Sequence, residues 1–101
     1  LESVVIDRNG SDWTLTCPAA FIMVGAAPNT DWLAGTCKLD PRGFVLTGPH
    51  AGTDSPFATS CPGLFAVGDV RSGSVKRVAS AVGEGSVVIS QVWQHVHRER
   101  A

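Results

Sequence analysis

The sequence LFAVGDV, residues 64–70, leads an apolar run into a glycine and a carboxylate. Four consecutive apolar residues after a Pro-Gly turn, Leu64 to Val67, predict a strand that is buried on both faces. A helical pattern follows from Ser74 to about Arg98, with apolar side chains on one face. The members of this apolar stripe are Val75, Val78, Val82, Ile89, Val92 and Val96. A strand, a Gly-Asp step, a short loop and a helix is the order in which an α/β sheet presents a ligand.

The Gly-Asp step has a chemical interpretation and a purely structural one. The carboxylate of Asp69 can accept hydrogen bonds from sugar hydroxyls, and Gly68 lets a polar ligand approach the backbone. Taken alone, the same pair equally suits a turn and a helix cap. Gly83 and Gly85 stand inside the helical pattern, where each costs about 1 kcal/mol of helix propensity. We expect these two glycines to let the helix lie close against a strand or a cofactor.

The N-terminal part of the chain predicts further strands. Residues 1–7 and 13–17 flank Asn9-Gly10, and Asn-Gly between β-branched runs is a strong hairpin signal. The run Phe21 to Val24, closed by Gly25, predicts a second strand buried on both faces. The fold class predicted from this order of elements is α/β.

Composition and charge limit the classes of partner. The chain has 101 residues and a net charge of −1, without a basic stripe, which argues against nucleic acid and anionic membranes as partners. Its longest apolar run, residues 19–24, is too short to span a bilayer, and its first residues do not resemble a secretion signal. The predicted compartment is therefore cytoplasmic. The three cysteines form no C-x-x-C, so these residues predict neither a catalytic dithiol nor a metal site.

Three segments, taken in order, resemble the flavin-dependent pyridine nucleotide–disulfide oxidoreductases. Residues 59–70 (TSCPGLFAVGDV) are similar to the T-S-x-P-G-(I/V/L)-(F/Y)-A-x-G-D motif of that family, and residues 24–30 (VGAAPNT) to its G-x-x-P-N-T segment. Residues 76–85 (KRVASAVGEG) resemble the closing helix of its thioredoxin reductase branch. The resemblance covers about residues 13 to 97. Residues 67–86 are similar to the subgroup that often carries an N-terminal regulatory module, such as a cyclic nucleotide-binding domain.

The resemblance implies a fold and an activity. The chain would be the C-terminal portion of an FAD/NAD(P)-binding Rossmann-like domain of three ββα layers. Residues 1–24 would end the pyridine-nucleotide-binding domain, and residues 25–101 would form the C-terminal half of the FAD-binding domain. The parent reductase would pass electrons from NADPH through FAD to the disulfide of a thioredoxin-like protein. NADPH would be bound mainly by the rest of the reductase chain.

The resemblance also implies roles for individual residues. Asp69 matches the aspartate that binds the ribityl chain of FAD, with the Gly68 backbone beside it. Lys76, Arg77 and Val78 match an Arg-Gln-Ala step at the pyrimidine edge of the flavin. None of these three is identical to the family residue, so backbone contacts are expected there, from Val78 above all. The start of the helix would stabilise negative charge on the reduced flavin.

Other signatures of such a reductase do not occur in these residues. There is no G-x-G-x-x-G after a strand and no C-x-x-C, so we expect the isolated chain to be inactive and to bind FAD weakly or not at all. Two alternatives stay open: the C-terminal part of a dithiol-free NAD(P)H:ferredoxin-type flavin reductase, and a non-catalytic self-associating fragment. The apolar stripe and the unpaired strand edges predict a homodimer or a higher assembly of the isolated chain.

Overall fold

The computed structural model describes residues 1–98, so the last three residues of the predicted 25–101 part lie outside the described residues. Strands β1 (Ser3–Arg8) and β2 (Ser11–Thr16) come first, and helix α1 (Val78–Arg98) comes last. Between them the chain runs through turns, isolated bridges and three short 3₁₀ helices. The architecture is α/β, as predicted.

The two strands form the predicted hairpin. They pair antiparallel, from Ser3 opposite Thr16 to Arg8 opposite Ser11. Asn9 and Gly10 have φ angles of 56° and 79°, the left-handed conformations that a tight two-residue hairpin turn requires. The Gly10 amide also donates to the Asp7 carboxylate at 2.8 Å. Local turn chemistry therefore determines this part of the fold.

A small core lies in the irregular region between the hairpin and α1. Val45 is its most deeply buried residue, with 1% of its surface exposed. Its amide donates to the Val70 carbonyl and its carbonyl accepts from the Ser72 amide, each at 2.8 Å. This pairing holds the segment that follows Gly68-Asp69 against the segment around Val45. The apolar cluster consists of Leu33, Cys37, Val45 and Ala66, with Leu39, Cys61, Leu64 and Val70 packed against it.

Both predictions of buried strands need correction. Phe21 to Val24 has no regular secondary structure, and its side chains are 86–89% exposed. A strand buried on both faces needs hydrogen-bonded neighbours on both sides, and the described residues supply none for this segment. Leu64 to Val67 is partly covered, but it is joined only by a single bridge between Phe65 and Ala58. It is an extended segment and not a regular strand.

Helix α1 is confirmed, although it begins at Val78 and not at Ser74. The Arg77 carbonyl accepts the first helical hydrogen bond, from the Ala81 amide at 3.0 Å. Within residues 1–98, no helix combines the length and the hydropathy that crossing a bilayer demands.

The apolar stripe does not face the rest of the described chain. Val78, Val82 and Ile89 are between 67% and 85% exposed. The half-buried positions of α1 recur instead at three- and four-residue spacings on another face, which carries polar side chains. These positions include Ala81, Glu84, Val88, Gln91 and His95.

The expected role of Gly83 and Gly85 in close packing is wrong for the described chain. A Cβ atom added at either position would meet nothing within 4 Å. The reason is rotational, because the half-buried face of α1 contacts the Gly68–Val70 turn near Ala81 and Glu84. The glycine that packs closely against α1 is Gly68.

Candidate functional site

The Gly68-Asp69-Val70 sequence forms a short 3₁₀ turn beside the beginning of α1. Gly68 is buried and has a φ of +76°, a conformation that strongly favours glycine. A Cβ atom on Gly68 would lie 3.3 Å from the Ala81 Cβ atom. Glycine is therefore required here both by backbone conformation and by the closeness of the helix. Asp69, the next residue, is exposed.

A carboxylate on α1 holds this turn. The Gly68 amide donates to Glu84 Oε2 at 2.7 Å. Arg71 donates from Nε to Oε2 at 3.2 Å and from Nη2 to Oε1 at 2.6 Å, which makes a two-pronged ion pair. The Arg71 hydrogen bonds, aided by the Gly68 amide and opposed by burial, hold the pKa of Glu84 below its ordinary value of 4.5. Glu84 is thus ionised at neutral pH and ties both ends of the turn to the helix.

A second carboxylate holds the residues that follow the turn. Asp40 Oδ1 accepts the amides of Arg42 and Phe44, each at 2.9 Å, and its Oδ2 accepts the Ser72 hydroxyl at 2.7 Å. The Ser72 hydrogen bond is the largest cause of a lowered pKa for Asp40, and the two amides add to it. Asp40 therefore links the 40–44 turn to the loop between Asp69 and α1.

Lys76 closes that loop from its other end. Its Nζ atom donates to the Asp69 carbonyl at 2.8 Å and to the Ser74 hydroxyl at 3.0 Å. The same ammonium group lies 4.1 Å from the centre of the Phe44 ring, a cation–π distance. The charge of Lys76 is consequently placed at the carbonyl of Asp69.

The structure brings together some of the residues that the sequence singled out. Gly68, Asp69 and Lys76 share one turn and loop, whereas Arg77 and Val78 begin α1. All but Gly68 are exposed. Their predicted contacts with a flavin remain predictions.

Sequence reasoning missed Glu84, Arg71 and Asp40. One signal for Glu84 was available, because it is the only acidic residue between Val78 and Arg98 and it lies between two glycines. Its partners could not be identified, because Gly68 lies 16 residues away and Arg71 lies 13 residues away. Asp40 was interpreted as an ordinary turn residue, which it also is.

The cysteines of the described chain are free thiols. Burial, together with the neighbouring Cys61, raises the pKa of the Cys37 thiol above its ordinary value. A raised pKa keeps this thiol protonated at neutral pH and lowers its reactivity.

The turn has the chemistry that a polyhydroxyl ligand requires. The exposed carboxylate of Asp69 can accept hydroxyl hydrogen bonds, and the first amides of the 21-residue helix α1 lie a few residues further on. Gly73, between them, has a φ of +73°, and a Cβ atom there would meet nothing within 4 Å. The residues present therefore fit the ribityl chain of a flavin.

Comparisons with known proteins agree with this arrangement. Residues 2–85 match the family model of the pyridine nucleotide-disulphide oxidoreductases. The chain is 35% identical over 96 residues to an alkyl hydroperoxide reductase of Pseudomonas aeruginosa, covering 94% of this chain and 17% of that protein. It is 26% identical over 87 residues to thioredoxin reductase of Mycoplasmopsis pulmonis, covering 86% of this chain and 26% of that protein.

Solved structures give the same result. Thioredoxin reductase from Streptococcus pyogenes superposes with a TM-score of 0.72 at 28% identity, covering 96% of this chain and 30% of that one. Thioredoxin reductase from Lactococcus lactis gives a TM-score of 0.71, also at 28% identity, and covers 96% of this chain and 31% of that one. The chain thus spans less than a third of the length of these proteins.

Proposed function

The chain belongs to the pyridine nucleotide-disulphide oxidoreductase family, and from this premise we propose that it is the C-terminal part of a thioredoxin reductase-like flavoprotein. The whole protein would pass electrons from NADPH through FAD to the disulfide of a thioredoxin-like protein. The observation that carries the proposal is the Gly68-Asp69 turn, which follows a covered apolar segment and is held on the side of α1. The relatives named thioredoxin reductase support it.

The residues of this chain would contribute binding and electrostatics, while FAD would supply the two-electron chemistry when bound. Asp69 would accept hydrogen bonds from the ribityl hydroxyls. The amide of Val78, at the start of α1, would face the pyrimidine edge, where the helix dipole favours negative charge. Lys76 would act on the turn itself, because its ammonium group is bound to the Asp69 carbonyl.

The proposed division of the chain assigns residues 1–24 to the pyridine-nucleotide-binding domain and residues 25–101 to the FAD-binding domain. It is supported by the hairpin, since β1 and β2 contact each other and neither contacts α1 or a 3₁₀ helix of the described chain. The rest of the reductase chain would then be the main partner of both parts.

The test of the flavin assignment is Asp69→Ala in the full-length protein. Loss of a charge-assisted hydrogen bond is worth about 1.5–3 kcal/mol, so FAD affinity should fall by about tenfold or more. Titration of the apoprotein with FAD, followed by flavin fluorescence, measures this change. Asp54→Ala, which removes an exposed carboxylate elsewhere, serves as the matched control. An unchanged FAD affinity in Asp69→Ala would show that the assignment is wrong.

A further inference from the structure

Glu84 has an environment that is unusual for a helix carboxylate. Only 13% of its side chain is exposed, although the surrounding face of α1 is close to solvent. Covering a carboxylate in this way is unfavourable unless its oxygens are paired. Both oxygens are paired here, by the Gly68 amide and by the two nitrogen donors of Arg71. The turn and the helix are therefore matched through a single charged group.

The contacts of Glu84 fix the residues on both sides of Asp69. Gly68 precedes Asp69, and Arg71 follows it by two positions. The Arg71 amide additionally donates to the Gly68 carbonyl at 3.1 Å, which closes the turn between them. With both ends of this four-residue segment bound to one carboxylate, the direction of the exposed Asp69 side chain is restricted before any ligand arrives. Restriction of this kind lowers the entropic cost of binding.

We propose that Glu84 is a positioning residue for the flavin: through Gly68 and Arg71 it sets the orientation in which Asp69 meets the ribityl hydroxyls. Glu84 does not touch the cofactor in this proposal and acts only through the turn. The inference rests on the proposed flavin function of Asp69. It adds a residue to that site which the resemblance did not assign.

The variant Glu84→Gln separates this role from simple packing. Glutamine keeps the size of the side chain and one carbonyl oxygen, so it can pair with Gly68 or with Arg71 but not with both as an anion. The contact between Gly68 and Ala81 and the position of Arg71 over the Phe57 ring do not depend on the charge. Fold and packing should persist, while the turn loses its fixed orientation.

The experiment is a double-mutant cycle in the full-length protein, with FAD affinity of the apoprotein as the measurement. Glu84→Gln should weaken FAD binding about tenfold, the equivalent of one charged hydrogen bond. In the Asp69→Ala background the same change should weaken binding less than about twofold, because the group being positioned is gone. Ser90→Ala, an exposed position on α1, should leave FAD affinity unchanged in both backgrounds.

The outcomes separate the inference from the proposed function. If Asp69→Ala weakens FAD binding and Glu84→Gln has no effect or an additive one, the positioning role is overturned while the flavin site stands. If Asp69→Ala has no effect, both fall. Should Glu84→Gln fail to fold, Arg71→Lys takes its place in the same cycle, because it keeps the charge and loses the two-pronged geometry. The same non-additivity with Asp69→Ala is expected, and additivity would overturn the role.

Discussion

Replacing Gly68 with alanine tests whether the turn depends on its close approach to α1. The left-handed backbone of Gly68, at φ +76°, is unfavourable for alanine. The new Cβ atom would also lie 3.3 Å from the Ala81 Cβ atom, inside the usual carbon–carbon contact distance of about 3.5–4.0 Å. The turn would have to move away from the helix, which would lengthen the 2.7 Å hydrogen bond from Gly68 to Glu84.

The expected cost follows from these terms. A left-handed conformation costs a non-glycine residue about 1–2 kcal/mol, and overpacking typically costs about 1–3 kcal/mol. The smaller entropy of the unfolded alanine variant returns about 0.4–1 kcal/mol. Gly68→Ala should therefore destabilise the protein by about 1–4.5 kcal/mol. Gly73→Ala is the matched control, because its φ is +73° and a Cβ atom there meets nothing within 4 Å.

Urea denaturation of the two apoproteins, paired with FAD titration, measures both consequences. Gly68→Ala should lose more unfolding free energy than Gly73→Ala, by about the 1–3 kcal/mol of the packing term. It should also lose FAD affinity to a greater extent, since the turn that carries Asp69 is displaced. Equal losses of stability in the two variants would refute the reasoning, because they would show that only the backbone conformation matters.

Three further expectations follow from the described contacts. Gly83→Ala should raise the free energy of unfolding by up to about 1 kcal/mol, because a Cβ atom there meets nothing within 4 Å and alanine favours a helix; a loss of stability would reveal a close neighbour. The folded-state pKa of Glu84 lies below its ordinary value of 4.5, so its stabilisation is complete above pH 4.5 and is lost as the pH falls through the lowered pKa. The urea midpoint should drop over that range in the parent protein and drop less in Glu84→Gln; identical pH profiles would contradict the ion pair. The isolated chain should form a dimer or a higher assembly through its exposed apolar stripe, and light scattering that gives a mass near 10.6 kDa at all concentrations would disprove this.

The elements that sequence predicts well are those determined by neighbouring residues. The hairpin follows from Asn9-Gly10 between two runs of β-forming residues, and both turn residues adopt the left-handed conformation. Helix α1 follows from a periodic pattern across 21 residues, which local propensity supports. Its start was misplaced by four residues, since the periodicity of the stripe begins at Val75, before the first helical hydrogen bond to Arg77. Boundaries depend on single contacts that periodicity does not contain.

The elements that sequence predicts poorly depend on distant partners. A run such as Phe21 to Val24 becomes a buried strand only where other strands pair with it, and none does within residues 1–98. The contacts that hold the turn are equally distant, since Gly68 and Glu84 are 16 residues apart and Asp40 and Ser72 are 32 apart. The Gly-Asp step was recognisable because a short motif carries it, whereas its supports are scattered along the chain.

The distribution of order in this chain has a consequence for the proposed flavin site. The turn at Gly68 is held by α1 through Glu84, the loop after it is held by Asp40, and Lys76 binds the Asp69 carbonyl, all within the described residues. The apolar surfaces that remain exposed lie elsewhere, on Phe21 to Val24 and on the stripe of α1. The ligand-facing turn therefore needs no other part of the reductase to take its shape. The rest of the protein would instead cover the apolar surfaces and supply the other contacts to FAD, so that Asp69 meets the cofactor already oriented.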